Sequence, residues 1–346
     1  MIWRSAIFFL FYTVYGDELM ATDLQMNEAV SLYEANEFDA AYPLLLPLAE
    51  KGFAEAQWIL ARIFLYGQGV EANQAIAVDY LVQAAKEGFA PAKLNLAWAL
   101  LDGKIIPQDI ELGSNLLIDT ADQGFPAAQN DLGLLYLRGE YFEQNTEKAI
   151  HYLSATAENG DAEAQATLGS VYSSGIGVPK DFDKSFEYNK KAAEQESPLG
   201  MFNLALMYRN GQGVEKNTQL ALELFQKAAN LGHGQAAVNL GAMHANGTDL
   251  PIDYNEAYKW YKLGSQLGDA LAQNNLGMMH AYGQGVSQSN ILALMWFYLS
   301  SNNGRIDVGD GVERLQSSLQ SSMTSSEISE AKKKAKLCFE SNYTNC

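Results

Sequence analysis

The chain has 346 residues, of which 48% are hydrophobic and 18% charged, so it can fold around a sizeable core without metals or disulfides. Its 41 acidic and 23 basic side chains give a net charge of −18, the wrong sign for a protein that binds phosphate backbones, so no nucleic-acid partner is expected. Two cysteines, both near the carboxyl terminus, exclude a zinc finger and an iron–sulfur cluster, which need several closely spaced thiolates.

The amino terminus, MIWRSAIFFLFYTVYGDE, has the plan of a secretory signal peptide over residues 1–16. One basic residue, Arg4, precedes an apolar run, and the small Gly16 stands before the acidic Asp17. The run is shorter than the roughly 20 apolar residues of a spanning helix, so no membrane span is expected in the mature chain. The alternative is a buried first helix over residues 5–15. We therefore expect an exported protein without a lipid anchor.

An internal repeat of 36 residues runs through the middle of the chain, and seven copies fill residues 54–305. The seventh position of every copy is leucine, and a small residue follows it; the leucines are Leu60, Leu96, Leu132, Leu168, Leu204, Leu240 and Leu276. A mostly aromatic column comes four positions later, and glycines follow that can end a first helix. A second helix of the form K-A-x-x-Y/W-x-x-K-A-A then closes at another glycine. Each copy predicts a helical hairpin that buries its apolar face by stacking on its neighbours.

Units such as AQATLGSVYSSGIGVPKDFDKSFEYNKKAAEQ resemble the Sel1-like repeat family, a relative of the tetratricopeptide repeats. Residues 17–53 resemble a shorter tetratricopeptide-like hairpin, and residues 306–346 resemble the terminal capping helices of exported members. The resemblance implies an all-α solenoid of stacked antiparallel helical hairpins, wound into a right-handed superhelix. It also implies a non-catalytic scaffold or adaptor of the bacterial envelope that binds another protein or peptide. We expect it in the periplasm, with full secretion as the alternative.

Three copies depart from the glycine pattern between the two helices. Copies two, three and six read DGKII, RGEYF and NGTDL where the others read GQGV or GIGV. These departures predict irregular turns, with Tyr141 and Phe142 exposed in the third copy.

The sequence predicts no catalytic residue, no metal site and no cofactor. His244 and His280 lie in the same place of adjacent copies and could meet as metal ligands, but their column is otherwise Phe, Tyr or Leu, which favours packing. The stretch from Ser329 to Lys332 matches the S-x-x-K of penicillin-recognising enzymes without the S-D-N or K-T-G that accompany it. The alternatives to a scaffold are a secreted factor acting on a host or competitor cell, and a hydrolase acting on cell-wall or β-lactam substrates.

A polar stripe along the first helix of each copy is the candidate binding groove. If positions 7, 8 and 11 face the core, positions 2, 6, 9 and 13 form a separate stripe. Asparagine recurs there although it is a poor helix former, and a ladder of amides suits the backbone of an extended peptide. The alternative is that these amides hold neighbouring helices in register. The candidate groove residues are Tyr66, Asn95, Trp98, Asp131, Arg138, Asn203, Asn210, Asn239, Asn246, Asn275 and Tyr282.

The negative charge is concentrated in the first half of the chain. Residues 17–161 hold 23 acidic and 7 basic side chains, whereas residues 162–346 hold 18 and 15. The negative electrostatic potential of the first half favours association with a basic partner, although an acidic surface also increases solubility.

Cys338 and Cys346 are predicted to form a disulfide. A continuous helix would hold them about 12 Å apart at 1.5 Å per residue, so the last helix must stop near Phe339 for the bond to form. The alternative is a pair of free thiols. A disulfide agrees with export, because such bonds persist in oxidising compartments.

Overall fold

The computed structural model describes residues 22–302, 309–341, 343 and 346, and the regular structure of this part of the chain is entirely α-helical. The chain divides into two compact units, Met1–Thr156 and Ala157–Cys346. The predicted signal peptide, residues 1–16, lies outside the described residues.

Each repeat contributes two helices of 13 residues, and corresponding helices start 36 residues apart. An opening hairpin precedes the repeats, with α1 over residues 22–34 and α2 over Phe38–Glu50. The first helices of the repeats are α3 (Ala54–Tyr66), α5 (Ala90–Asp102), α7 (Pro126–Arg138), α9 (Ala162–Ser174), α11 (Pro198–Asn210), α13 (Gly234–Asn246) and α15 (Ala270–Tyr282). The second helices are α4 (Gln74–Lys86), α6 (Ile110–Asp122), α8 (Thr146–Glu158), α10 (Phe182–Glu194), α12 (Thr218–Asn230), α14 (Tyr254–Gln266) and α16 (Asn290–Asn302). Helices α17 (Gly309–Ser322) and α18 (Ser325–Glu340) end the chain.

The ends of the helices follow from local chemistry. Second helices begin at a residue whose side chain accepts a backbone N–H of the first turn, an Asn or Asp such as Asn73 and Asp253 in six copies and Ser289 in the seventh. First helices end at a left-handed glycine such as Gly67, with φ of 66°. Two other residues take this conformation where most copies have glycine: Glu196, with φ of 60°, and Tyr141, with φ of 58°. Glu196 and Tyr141 therefore keep the turn without glycine, whereas Ile105 and Asp249, at the position of Tyr141 in copies two and six, do not have a positive φ. The irregular turns predicted for those two copies are thus confirmed, and the one predicted for the third copy is wrong.

The third copy tests the prediction of exposed turn residues. Tyr141 is 38% exposed, as predicted. The prediction is wrong for Phe142, whose half-buried ring packs against Tyr136 with centroids 4.9 Å apart.

Within each unit the hairpins stack in chain order. A first helix packs on its own second helix, and that second helix packs on the first helix of the next repeat, as α13, α14 and α15 do. The leucine column lies in the core, and Leu60, Leu132, Leu168, Leu240 and Leu276 are fully buried. The small residue beside it permits close approach, since a Cβ on Gly133 would overlap Leu153 and one on Gly241 would overlap Tyr261. The predicted all-α solenoid of stacked antiparallel hairpins is confirmed.

The carboxyl-terminal helix α18 packs on α16. It begins at a capping box between Thr324 and Glu327 and ends at Glu340, one residue beyond the predicted stop. Buried Cys338 is disulfide-bonded to Cys346, with Cα atoms 4.9 Å apart. No helix among the residues described is both long enough and apolar enough to cross a membrane.

Candidate functional site

Two tryptophans of the first unit are held in place by the repeat that follows them. Trp58 Nε1 donates a hydrogen bond to Asn95 Oδ1 at 2.7 Å, and Trp98 Nε1 donates to Asp131 Oδ2 at 2.7 Å. Asn95 and Asp131 both occupy the sixth position of a repeat, one and two copies along the chain. Because each bond joins a ring to the next first helix, the indoles are ordered before any partner arrives.

Arg62 lies over the ring of Trp58. Its Cζ atom is 5.0 Å from the Trp58 ring centroid and 5.4 Å from that of Tyr33 in α1. Burial raises the pKa of the Tyr33 hydroxyl, and the positive charge of Arg62 partly opposes this. No carboxylate of the described chain lies within ion-pair distance of Arg62, so two aromatic faces are the contacts that stabilise its cation.

A pocket of about 230 Å³ lies between α3, α4 and α5. Its wall is mostly apolar and includes Leu65, Val78, Leu81, Trp98 and Ile105, while its polar lining residues are Arg62, Tyr66, Asn95, Asp102 and Lys104. Tyr66 is 65% exposed. Three predicted groove residues, Tyr66, Asn95 and Trp98, are thus brought together around one apolar depression.

Four residues beside this pocket, Trp98, Tyr141, Asp102 and Asp131, form what we call the aromatic–acidic cluster. The Tyr141 ring meets Trp98 edge-on with centroids 6.5 Å apart, and its hydroxyl donates to Asp102 Oδ1 at 3.3 Å. Burial raises the pKa of the Asp131 carboxyl, and the hydrogen bond from Trp98 partly opposes this. No basic side chain in the described part of the unit forms an ion pair with Asp131. Asp131 is therefore a half-buried carboxylate without a paired cation in the described part of this unit.

Trp58, Arg62 and Tyr33 belong to this face although they are not among the predicted groove residues. Arg62 lies at position 9 of the first copy, which is itself a position of the predicted stripe, and Trp58 lies four residues before it on the same helix, so helical spacing alone could have added both to the groove residues. Tyr33 precedes the repeats, and no periodic signal points to it.

In the second unit the amide of Asn203 points between helices. Its Nδ2 lies 2.9 Å from Ser170 Oγ, 3.0 Å from Asn189 Oδ1 and 3.2 Å from the Ala166 carbonyl oxygen. These contacts tie α11 to α9 and α10. For Asn203 the geometry favours the register interpretation over the peptide ladder.

Asn189 is a buried polar residue that sequence reasoning missed. It is 1% exposed and occupies a second-helix column that reads Leu81, Leu117 and Leu153 in the three preceding copies. Its Nδ2 donates to Ser185 Oγ at 3.2 Å, and Ser185 Oγ donates to the Gly169 carbonyl at 2.8 Å. A polar break in an apolar column was the available signal.

The amide of Asn239 also forms hydrogen bonds within the protein. Its Nδ2 donates to the Gln235 carbonyl at 2.9 Å, and its Oδ1 accepts from Arg209 Nη1 at 3.3 Å. Arg209 in turn pairs with Asp249 at 2.7 Å. This arrangement again serves contact between repeats.

Four of the remaining predicted groove residues lie at helix ends and Asn275 lies within α15, and the roles of all five stay predictions. Asn275 is half-buried, and Arg138, Asn210, Asn246 and Tyr282 are exposed. Arg138 Nη1 is 3.9 Å from Glu140. Tyr282, at 58% exposure, occupies the same repeat position as Tyr66.

His280 has a packing contact and His233 a capping contact. His280 is buried against Tyr258, with ring centroids 5.9 Å apart, and burial lowers its pKa. His233 caps α13 by accepting the Ala236 N–H. Over the described ranges, no group of His, Cys, Asp and Glu side chains is arranged to hold a metal ion. The S-x-x-K stretch lies on α18, where Lys332 sits 5.6 Å from the Tyr298 ring.

Solved structures resemble this chain. A Sel1 repeat protein from Oxalobacter formigenes is 28% identical with a TM-score of 0.64, over 86% of this chain and 90% of that one. The protein c5321, a protective antigen of uropathogenic Escherichia coli strains with an SLR fold, is 22% identical with a TM-score of 0.38, over 94% and 86%. The immunity protein Pa5087 from Pseudomonas aeruginosa is 18% identical with a TM-score of 0.46, over 62% and 81%. With TM-scores below 0.5, these last two give no functional information about this chain. No curated protein sequence matches it significantly.

The Sel1 repeat family model matches seven consecutive segments of the chain: residues 54–89, 90–125, 126–161, 162–197, 198–233, 234–269 and 270–304. Together they cover well over half of the sequence, and they begin where the first helices begin. The chain therefore belongs to the Sel1 repeat family, whose members are generally non-catalytic and mediate protein–protein interactions.

Proposed function

We propose that this protein is an exported scaffold of the bacterial envelope, periplasmic in location, that binds a peptide segment of another protein along the first helices of its early repeats. One observation carries the proposal: exposed Tyr66 stands beside an apolar pocket whose Trp98 is already held in place by Asp131. Rigid, partly exposed aromatic residues around a depression are the usual anchors of protein interfaces.

The size of the pocket favours a peptide side chain over a small-molecule ligand. Pockets that bind drug-sized ligands have volumes of about 300–1,000 Å³. A pocket of about 230 Å³ with an apolar wall suits one side chain of a segment that continues along the helices. The amide and carboxylate groups at position 6, Asn95 and Asp131, lie along the same face and offer acceptors to such a segment.

Selection from a displayed library of random peptides tests this function. The mature protein should enrich a family of sequences, and synthetic versions should bind with a Kd that rises about tenfold or more in Tyr66→Ala, a typical loss for an aromatic anchor. Fluorescence anisotropy measures both values.

Tyr282→Ala is the matched control. Tyr282 has the same side chain, the same repeat position and similar exposure, but it lies in the other unit. It should leave the Kd unchanged. Failure to enrich any sequence, or equal losses in the two variants, would rule out peptide binding at this face.

A further inference from the structure

We infer, on the basis of the proposed peptide-binding function, that the bound segment is anchored by an arginine whose guanidinium lies against Trp98 and Tyr141 and pairs with the carboxylates of Asp102 and Asp131. These four residues are the aromatic–acidic cluster.

The carboxylate of Asp131 is the first reason. It accepts one hydrogen bond, from Trp98, although a carboxylate offers about four acceptor sites. It is half-buried and has no cationic neighbour within the described chain, so its negative charge is only partly compensated. An incoming guanidinium would supply the missing charge and further donors.

Asp102 can take part without losing a strong partner. It accepts from Tyr141, and its other contact is Lys104 at 3.2 Å. The Lys104 side chain is 78% exposed, and exposed ion pairs contribute little to stability. A partner can therefore displace Lys104 at little cost.

The protein itself shows that this face accommodates a guanidinium. Arg62 lies over Trp58 and over Tyr33, so a guanidinium already contacts one tryptophan and one tyrosine here, the two ring types that meet edge-on in the Trp98–Tyr141 pair. The Trp98–Tyr141 pair adds two carboxylates, which the Arg62 site lacks. The planar fork of arginine can stack on a ring and bond two carboxylates together, whereas lysine offers a single point charge.

Charge on the larger scale agrees with a basic partner. Residues 22–156 hold 19 acidic and 7 basic side chains, so this unit attracts cations at long range. Arg62, one of those basic side chains, lines the apolar pocket, which shares Trp98 and Asp102 with the cluster, and its charge disfavours a second cation inside the pocket. The pocket therefore takes an apolar neighbour of the arginine, and the arginine lies on the cluster.

Replacing arginine by citrulline, a neutral residue of nearly the same shape, tests the inference. In a peptide selected as described above, the change should raise the Kd for the wild-type protein about tenfold, as expected for loss of a charge-assisted hydrogen bond. In Asp131→Asn the same change should raise the Kd less than about threefold, because one of the two carboxylates that pair with the guanidinium has lost its charge.

Asp131→Asn should keep the fold. Asparagine stands at this repeat position in four other copies, and Asn95 accepts the indole N–H of Trp58 there. Retention of the Trp98 indole N–H resonance verifies this. If that resonance is lost, Asp102→Asn at the surface makes the same comparison. Glu111→Gln, an equal charge change on α6, is the control for long-range attraction and should preserve the tenfold difference.

The outcomes separate this inference from the proposed function. Selected peptides without arginine, or equal Kd values for the arginine and citrulline peptides, overturn the arginine anchor and leave peptide binding at Tyr66 intact. A tenfold difference that survives in both Asp131→Asn and Asp102→Asn also overturns it, because the carboxylates would then not be the partners. No enriched peptide, or no effect of Tyr66→Ala, overturns both.

Discussion

Single residues in repeated columns show how this protein uses the same position differently. Position 6 is core in the first copy, where Ile59 is 1% exposed, and a hydrogen-bond acceptor for tryptophan in the next two. In the fifth copy it is the inward amide of Asn203. The column lies at the border between core and groove, so small differences in the neighbours decide the direction of each side chain.

His280 makes stability depend on pH. Its pKa is lowered by burial, so on acidification the unfolded chain takes up a proton that the folded chain resists. The contribution of His280 to folding free energy is therefore retained above the unfolded pKa of about 6.5 and lost as the pH falls below it. His280→Tyr, the residue found in the same column at Tyr136, Tyr172 and Tyr208, should make the denaturation midpoint less sensitive to pH between about 7 and 5.

Urea denaturation at several pH values measures this. His233 also has a pKa lowered by burial, so the variant should weaken the dependence without abolishing it. Identical loss of stability on acidification in wild type and His280→Tyr would contradict the role given to burial.

At the scale of helices, the side chains of Asn203, Asn189 and Ser185 form one hydrogen-bond network. Asn203→Ala should lower the free energy of unfolding by about 1–3 kcal/mol, because the buried Oδ1 of Asn189 then has no donor. Adding Asn189→Leu restores the residue of the preceding copies and removes the unsatisfied group. The double variant should therefore lose less than the sum of the two single losses, with a coupling of about 1 kcal/mol.

Chemical denaturation of the four proteins of this cycle gives the coupling. Asn210→Ala is the matched control, since Asn210 is an exposed asparagine on the same helix and should change stability by less than about 0.5 kcal/mol. If Asn203→Ala is no more destabilising than Asn210→Ala, the amide does not hold the helices together.

The sequence predicted the helices well because each helix is specified locally. The leucine column, the adjacent small residue and the capping glycine recur every 36 residues, and they place the first helices where the structure has them. The arrangement of side chains at the candidate site was predicted less completely. Tyr66, Asn95 and Trp98 could be assigned to one face by helical spacing, whereas the bond from Trp98 to Asp131 depends on how two repeats stack. The direction of the Asn203 amide depends on the replacement of leucine by Asn189, a single exception that periodicity hides.

At the scale of the whole molecule, export and the terminal disulfide make one joint prediction. A chain with an amino-terminal signal and a Cys338–Cys346 bond should be recovered from the periplasmic fraction of the producing cell with both cysteines oxidised. Cysteine alkylation under denaturing conditions should succeed only after reduction, and mass spectrometry detects the difference. Free thiols in a cytoplasmic fraction would contradict export, while oxidised protein in the medium would favour the secreted factor.

The hydrogen bond that runs from a tryptophan in one repeat to an acceptor in the next makes each proposed binding position depend on two neighbouring repeats. Trp58 with Asn95 and Trp98 with Asp131 are two successive examples that differ in the charge of the acceptor. Duplication of a whole 36-residue segment would leave existing pairings in place and create a new one at the seam. Duplication of repeats can therefore create new ligand preferences in such a chain. A single exchange between aspartate and asparagine at the sixth position is enough to change the charge of one tryptophan–acceptor pair.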